Sequence, residues 1–229
     1  MNTLDLNEAV NLLNGTILSS LLALIRGQSG TVGAQLNYQC GLLTANAFTE
    51  LNATPDGDYA FWINLAKCFD AAQQMGVTYQ QMDTVRTAAE ASTPKGLPAI
   101  AVRNFSVRMA LAEQARILAA TTFTSRQVID DYFDQINASF DTAETEAANN
   151  LDNVAYVALV QLHAAVSNDL ANRARPLPRM VTYTYNASKP ALYMAQNLYQ
   201  DPVRYEDLIS ENSPIHPLFM PASGRALSS

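Results

Sequence analysis

The sequence predicts a mainly α protein: an antiparallel helical bundle over residues 1–175, followed by a small α+β domain, ordered strand, helix, helix, strand (βααβ), over 176–229. Three observations predict it. Apolar residues recur at three- and four-residue steps through the first three quarters of the chain. Breaks rich in Pro and Gly separate these stretches at short intervals. After Pro176-Leu-Pro178 the pattern changes to Met180-Val-Thr-Tyr-Thr-Tyr185, whose β-branched and aromatic alternation is that of a strand.

Leu6, Val10, Leu13, Ile17, Leu21 and Leu24 place a first helix over 3–26. The run Gly27-Gln-Ser-Gly30-Thr-Val-Gly33 ends it. No strand precedes these glycines and no Gly-Lys-Ser/Thr follows, so they read as an interhelical turn and not a phosphate loop. A second helix covers about 34–51 and stops at the turn Thr54-Pro-Asp-Gly57. A third, about 59–75, buries Phe61, Leu65, Cys68 and Phe69 with Trp62 on its flank, and Gly76 ends it. A shorter helix over about 79–91 precedes the break Pro94-Lys-Gly-Leu-Pro98. The helix over 99–120 carries Val102, Phe105, Met109, Ala112, Ala115 and Ile117 with polar residues on one side, and is the expected central helix. Thr124-x-x-Gln127 has the spacing of a capping box, in which hydroxyl and amide satisfy each other's free backbone donors. It opens a helix to about Ala147 whose Asp130, Asp134, Asp141 and Glu144 read as a solvated face. The last long helix spans 153–174. At about 1.5 Å per residue, helices of this length reach about 33 Å.

In the C-terminal part, Ser188 and Pro190 suit the start of a helix to Tyr199 that buries Leu192, Ala195, Leu198 and Tyr199. Asp201-Pro202 starts another, with Tyr205, Leu208 and Ile209 inside and Asn212 suited to the left-handed residue that ends it. Gly224-Arg-Ala-Leu227 is the expected returning strand.

Composition bounds the function. Of 229 residues, 48% are apolar and 15% charged, which is a globular balance. The formal net charge is −7, and residues 1–175 carry 10 basic and 17 acidic side chains against four of each in 176–229. A nucleic-acid binder needs clustered Lys and Arg to displace counterions from phosphates, and an anionic membrane surface asks for the same. Neither partner is expected. Cys40 and Cys68 read as buried thiols in a reducing compartment rather than a disulfide. The N-terminus has no basic run and does not read as a signal peptide. The longest apolar stretch, 17–25, is too short to span a bilayer.

Leu198-Tyr199-x-Asp201, Arg204-x-x-x-Leu208-Ile209-x-x-Asn212 and Ile215-His216-Pro217-x-Phe219-x-Pro221, in that strand and helix order, resemble a LysM-like domain. More narrowly they are similar to the C-terminal domain of the DNA circularization protein family of Mu-like phages, and of related proteins in contractile-tail baseplates. Leu177-Pro-Arg-Met-Val-Thr-Tyr183 and Leu159-Val-Gln-Leu-His-Ala-Ala-Val166 share that likeness. The resemblance implies a virion structural role near the tail hub and first tube ring. The partners it implies are hub, tube, sheath-initiator or wedge subunits, with several copies in the particle, six by the tail's symmetry. Members of the family usually begin with a further domain of about a hundred residues, whereas Met1 here opens almost directly on the helical part. The turn Asn186-Ala-Ser-Lys-Pro190 stands where sugar-binding LysM domains carry Gly-Asp-Thr/Ser, so glycan binding is not expected. Two other readings compete: a peptidoglycan-binding module of a phage particle, and a DNA-end-joining factor, against which the acidic charge weighs.

Residues expected to meet a protein partner are Tyr183, Tyr185, Arg204, Tyr205, Asn212, His216, Pro217, Phe219 and Met220. Prolines hold this segment stiff and lower the entropy lost on docking, and aromatics are enriched at interface anchors. Tyr199 and Leu208 read as core; Tyr185 and Phe219 suit core and surface alike. No enzyme, cofactor or metal is expected. His163 reads as a packed or half-exposed side chain in an apolar helix, and His216 as a turn residue bonded to a carbonyl. No third zinc ligand, nucleophile elbow or pair of carboxylates in a distinctive setting stands out.

Overall fold

The computed structural model describes residues 2–25, 31–53 and 59–228. Of the turn expected over 27–33, residues 27–30 lie outside the described residues, as does the turn expected at Thr54–Gly57, whereas residues 31–33, expected in the first turn, already belong to the next helix. The described residues are mainly helical with one two-stranded antiparallel sheet. It forms two compact units, one of residues 1–121 with 139–163 and one of 122–138 with 164–229. The segment 176–229 lies whole within the second.

The first unit begins with α1 (Thr3–Leu12), a π-helical turn (Leu13–Leu18) and α2 (Ser19–Ala23). The expected single helix is therefore widened in its middle. Its backbone stays helical at both joins, with φ −55° at Leu13 and −63° at Ser19. Ser19 Oγ donates to the Gly15 and Thr16 carbonyls at 2.7 and 3.1 Å, and such back-bonding competes with the regular ladder. Helices α3 (Thr31–Ala53) and α4 (Ala60–Gln74) pack against each other, and Phe61, Leu65, Cys68 and Phe69 are buried as expected. Trp62 is half-buried, edge-on to Phe61 at 4.8 Å and tilted on Phe105 at 5.1 Å.

Helix α5 (Tyr79–Glu90) opens with a capping box that the sequence reading passed over. Thr78 Oγ1 accepts the Gln81 N–H at 3.2 Å, and Gln81 Oε1 accepts the Thr78 N–H at 2.9 Å. Helix α6 (Leu97–Ala120) packs against α1, α4 and α5, the position expected of a central helix. Its start is capped from far along the chain. Glu8 accepts the N–H groups of Lys95 and Gly96 at 2.9 and 2.7 Å, the residue before the N-cap and the N-cap itself, and so fixes the chain where the helix begins. These bonds hold the Glu8 carboxyl below its ordinary range.

The inner face of α6 differs from expectation. Phe105, Met109, Ala112 and Ile117 are only half-buried, while Ser106, Glu113 and Gln114 are buried. Being covered from three sides, α6 must take some polar residues inside, and each has a partner. Ser106 Oγ donates to the Val102 carbonyl, Gln114 Nε2 to Asp83 Oδ1 at 3.1 Å, and Arg116 pairs with Glu113 at 3.0 Å. Buried Arg86 is held between Asp83 and Glu90 at 2.7 and 2.5 Å. The unit is completed by residues 139–149 of α7 (Arg126–Asn149) and 153–163 of α8 (Asn153–Ala174), joined through Leu151 in the left-handed region at φ 56°. Asp152 caps α8, accepting the Ala155 N–H at 3.1 Å, and it also pairs with Arg108 at 2.7 Å.

The second unit holds residues 126–138 of α7, 164–174 of α8 and the expected βααβ order: β1 (Met180–Thr184), α9 (Ala191–Tyr199), a 3₁₀ turn (Pro202–Arg204), α10 (Tyr205–Asn212) and β2 (Ser223–Leu227). The strands pair antiparallel from Met180↔Leu227 to Thr184↔Ser223. Three local expectations are corrected. Gln127 Oε1 accepts the Met180 N–H at 2.6 Å, and α7 starts at Arg126, whose N–H goes to the Pro178 carbonyl; the side chain expected in a capping box ties the helix to β1 instead. Ser188 does not cap α9: its hydroxyl donates to the Met220 carbonyl, and the Ala191 N–H goes to the Pro217 carbonyl. The left-handed residue after α10 is Ser213 (φ 42°), not Asn212, whose amide is spent elsewhere. The core here is Tyr183, Ala191, Met194, Ala195, Tyr199, Leu208, Met220 and Ala226, whereas Leu192, expected inside, is exposed.

Candidate protein-docking site

The nine residues singled out in the sequence separate into two sets. Tyr183 and Met220 are buried and belong to the core; Met220 has no exposed surface. Burial removes them from any surface contact and makes them the support beneath it. Asn212 is half-buried and bridges α10 to β2. Its Nδ2 donates to the Leu208 and Arg225 carbonyls at 2.8 and 2.7 Å, and its Oδ1 accepts the Arg225 N–H at 2.8 Å. Arg204 lies 4.0 Å over the Tyr199 ring and donates to Asp207 at 2.9 Å, an arrangement that fixes its guanidinium. Tyr185 and Tyr205 are half-buried against the same core.

His216, Pro217 and Phe219 lie on the outside. The segment between α10 and β2 folds into a turn: the Phe219 N–H donates to the His216 carbonyl at 2.9 Å, and His216 Nδ1 accepts the Leu218 N–H at 3.1 Å. His216 is thus a turn residue, through a ring nitrogen that accepts rather than through a bond to a carbonyl. Behind the turn, Met220 plugs the core, and its N–H goes to the Lys189 carbonyl at 3.1 Å. In front, Ile215 is fully exposed, Phe219 is 71% exposed and Leu218 54%. Ile215, His216 and Phe219 wall an open groove of about 470 Å³ that runs from Asn212 to Pro221. A turn tied to the core thus holds large apolar side chains outward.

The groove offers apolar area and hydrogen-bonding groups. The sequence reading did not find a second groove, of about 640 Å³ in the first unit, where Tyr59, Trp62, Leu97 and Phe105 meet the Arg108–Asp152 pair. The Asp152 carboxyl is held below its ordinary range, first by the Ala155 N–H and then by Arg108. Its residues lie as far apart as Tyr59 and Asp152, so no local pattern announces it. Cys40 and Cys68 are free and buried, and the Cys68 thiol is pushed far above its ordinary value by its hydrogen bond with Cys40 and by burial. A thiol so placed is inert as a nucleophile.

No protein-family model matches the chain, and no curated protein matches it. No helix among the described residues is long and apolar enough to cross a membrane.

Proposed function

We propose that this protein is a structural subunit of a phage contractile tail, in the baseplate or hub- and tube-proximal region, which joins neighbouring subunits through a LysM-like C-terminal domain. One observation carries the reading. The βααβ segment closes its own small core around Tyr183, Tyr199, Leu208 and Met220, while Ile215, Leu218 and Phe219, between Leu208 and Met220, project apolar side chains into solvent from a turn tied to that core. The motifs that resemble the circularization family fall on these elements: Arg204 to Asn212 forms the 3₁₀ turn and α10, and Ile215 to Pro221 forms the exposed turn. The partner presents an apolar patch to Ile215 and Phe219, and the chain is repeated around the tail axis, with six copies the natural number. The role is architectural and needs no cofactor.

The test is fractionation of phage particles from a producing strain. The chain is expected to co-purify with tails at a fixed ratio to the tube protein, and to resist removal by salt that strips loosely held proteins. Recovery of the chain only as free protein would overturn the assignment. Retention on purified cell-wall sacculi would favour the peptidoglycan-binding alternative, and a low-salt mobility shift with linear DNA would favour end joining.

A further inference from the structure

We infer that Asp141, Glu144 and His163 form a binding site for a divalent cation of the zinc class, independent of the docking role. Asp141 and Glu144 stand three residues apart on α7, and therefore on one face of that helix. His163 comes from α8, after the chain has turned at Leu151. The three side chains each bring one ligand atom, and all three atoms lie within 4.8 Å of one another. His163 Nδ1 and Glu144 Oε1 are already 2.8 Å apart.

The imidazole is not free to swing. It stacks face to face on buried Phe140, with centroids 4.9 Å apart and planes 8° from parallel, so its Nδ1 is aimed along a fixed direction. Glu144 and His163 have only 17% and 20% of their side-chain surface exposed, which leaves the pair in a partly dry setting. Asp141, by contrast, is exposed and can move. One nitrogen and two carboxylate oxygens are the donor set of borderline cations such as zinc, with water completing a tetrahedron. With metal–ligand bonds of about 2.0–2.1 Å, tetrahedral ligand atoms stand about 3.3 Å apart. Glu144 and His163 meet that spacing with a small opening of their hydrogen bond, and Asp141 reaches it by a change of rotamer. On binding, the cation takes the place of the hydrogen bond between His163 Nδ1 and Glu144 Oε1, with the imidazole in the tautomer that carries its proton on Nε2, so that the Nδ1 lone pair and the carboxylate bind the cation. The site ties α8 to α7 about two to three helical turns from their connection at Leu151.

Isothermal titration of the full-length, metal-stripped protein with zinc chloride tests the inference, with magnesium chloride as the control cation. One zinc per chain is expected, with no saturable magnesium binding. Asp141→Asn changes an exposed side chain and is expected to leave the fold and the metal-free melting temperature unchanged while weakening zinc binding about tenfold or more. His163→Ala is expected to abolish it, and His216→Ala and the double variant Cys40→Ser/Cys68→Ser to leave it intact. Cobalt(II), used as a spectroscopic probe, is expected to give visible bands of tetrahedral intensity that Asp141→Asn alters. Absence of one-to-one zinc binding in the wild type overturns the inference. So does zinc binding that survives both Asp141→Asn and His163→Ala.

Discussion

Of the polar groups that helix α6 takes inside, Ser106 bonds back to its own helix and the other two are charged or carry a charged partner: Glu113 with Arg116, and Gln114 with Asp83, which in turn holds Arg86. In the βααβ segment they are neutral: the Tyr183 and Tyr199 hydroxyls and the Asn212 amide. The difference follows from the size of the two cores. The helical unit is thick enough for long side chains to reach one another across α5 and α6 and adjust when a neighbour changes. The C-terminal core is one thin layer between a two-stranded sheet and two short helices, so backbone and ring approach directly, and little can give way. Small changes should therefore be tolerated in the first region and be severe in the second.

A methyl group added at a glycine in each region should break this contrast if it is wrong. At Gly224 a Cβ would lie 2.1 Å from Asn212 Oδ1 and 2.6 Å from the Tyr183 hydroxyl, and both groups are fixed, one by three hydrogen bonds and one by burial. Gly224→Ala is expected to cost about 2–3 kcal/mol and to release the β1 and β2 amides to hydrogen exchange while the amides of α4 stay protected. At Gly96 the nearest atom is the Glu8 carboxylate, at 2.8 Å, the far end of a flexible side chain, and backbone lies no closer than 3.3 Å. Gly96→Ala is expected to cost about 1 kcal/mol, read in the same exchange experiment. Equal costs would remove the distinction between the two cores.

A finer contrast lies between the two tyrosines of the small core. Tyr199 accepts the Leu227 N–H at its hydroxyl oxygen, whereas the buried Tyr183 hydroxyl has no hydrogen-bond partner among the described residues. Burial raises both hydroxyls above their ordinary range. Tyr199→Phe is expected to destabilise by about 1–2 kcal/mol because a buried N–H is left unpaired, and Tyr183→Phe to stabilise by about 0.5–1 kcal/mol, both read by urea denaturation. The same sign for both would mean that the hydroxyls do not matter individually.

The smallest effect is a pair of opposed pH dependences within the helical unit. Backbone N–H bonds lower the Glu8 carboxyl, so its stabilisation is present above the ordinary glutamate range and is lost as pH falls through its lowered folded value. Burial, against the pull of Arg116, raises the Glu113 carboxyl, so its ionisation opposes folding as pH rises and that opposition fades as pH falls. Between about pH 3 and 7 the stability difference from wild type should move against Glu8→Gln as pH rises to the ordinary glutamate pKa of about 4.3, and in favour of Glu113→Gln as pH rises above it. Thermal melts over this range give both slopes, and two slopes of one sign would contradict the assigned causes.

Much of the fold was legible because it is local. The period of Phe61, Leu65, Cys68 and Phe69 set the inner face of α4, and the alternation from Met180 to Thr184 set β1. What the sequence hid was non-local. Glu8 caps α6 from 88 residues away, which no window around Gly96 can reveal. Asn212 was noticed as a helix-ending residue, but its amide reaches Arg225, so the left-handed position passed to Ser213. The segment 215–221 was legible as proline-stiffened and aromatic, yet which way each side chain points depends on a bond to a residue far back in the chain, from the Met220 N–H to the Lys189 carbonyl: Phe219 faces out and Met220, its neighbour, faces in. Asp141, Glu144 and His163 were each visible, but the acid pair and the histidine meet only when two helices are set side by side.

The claim that the C-terminal segment is a docking surface is tested most directly by the double variant Ile215→Asp/Phe219→Asp. Both side chains are exposed, so circular dichroism and the melting temperature should match wild type. In cells producing particles, the variant should be missing from purified tails that incorporate the wild-type chain. Incorporation of the folded variant at the wild-type level would contradict the account.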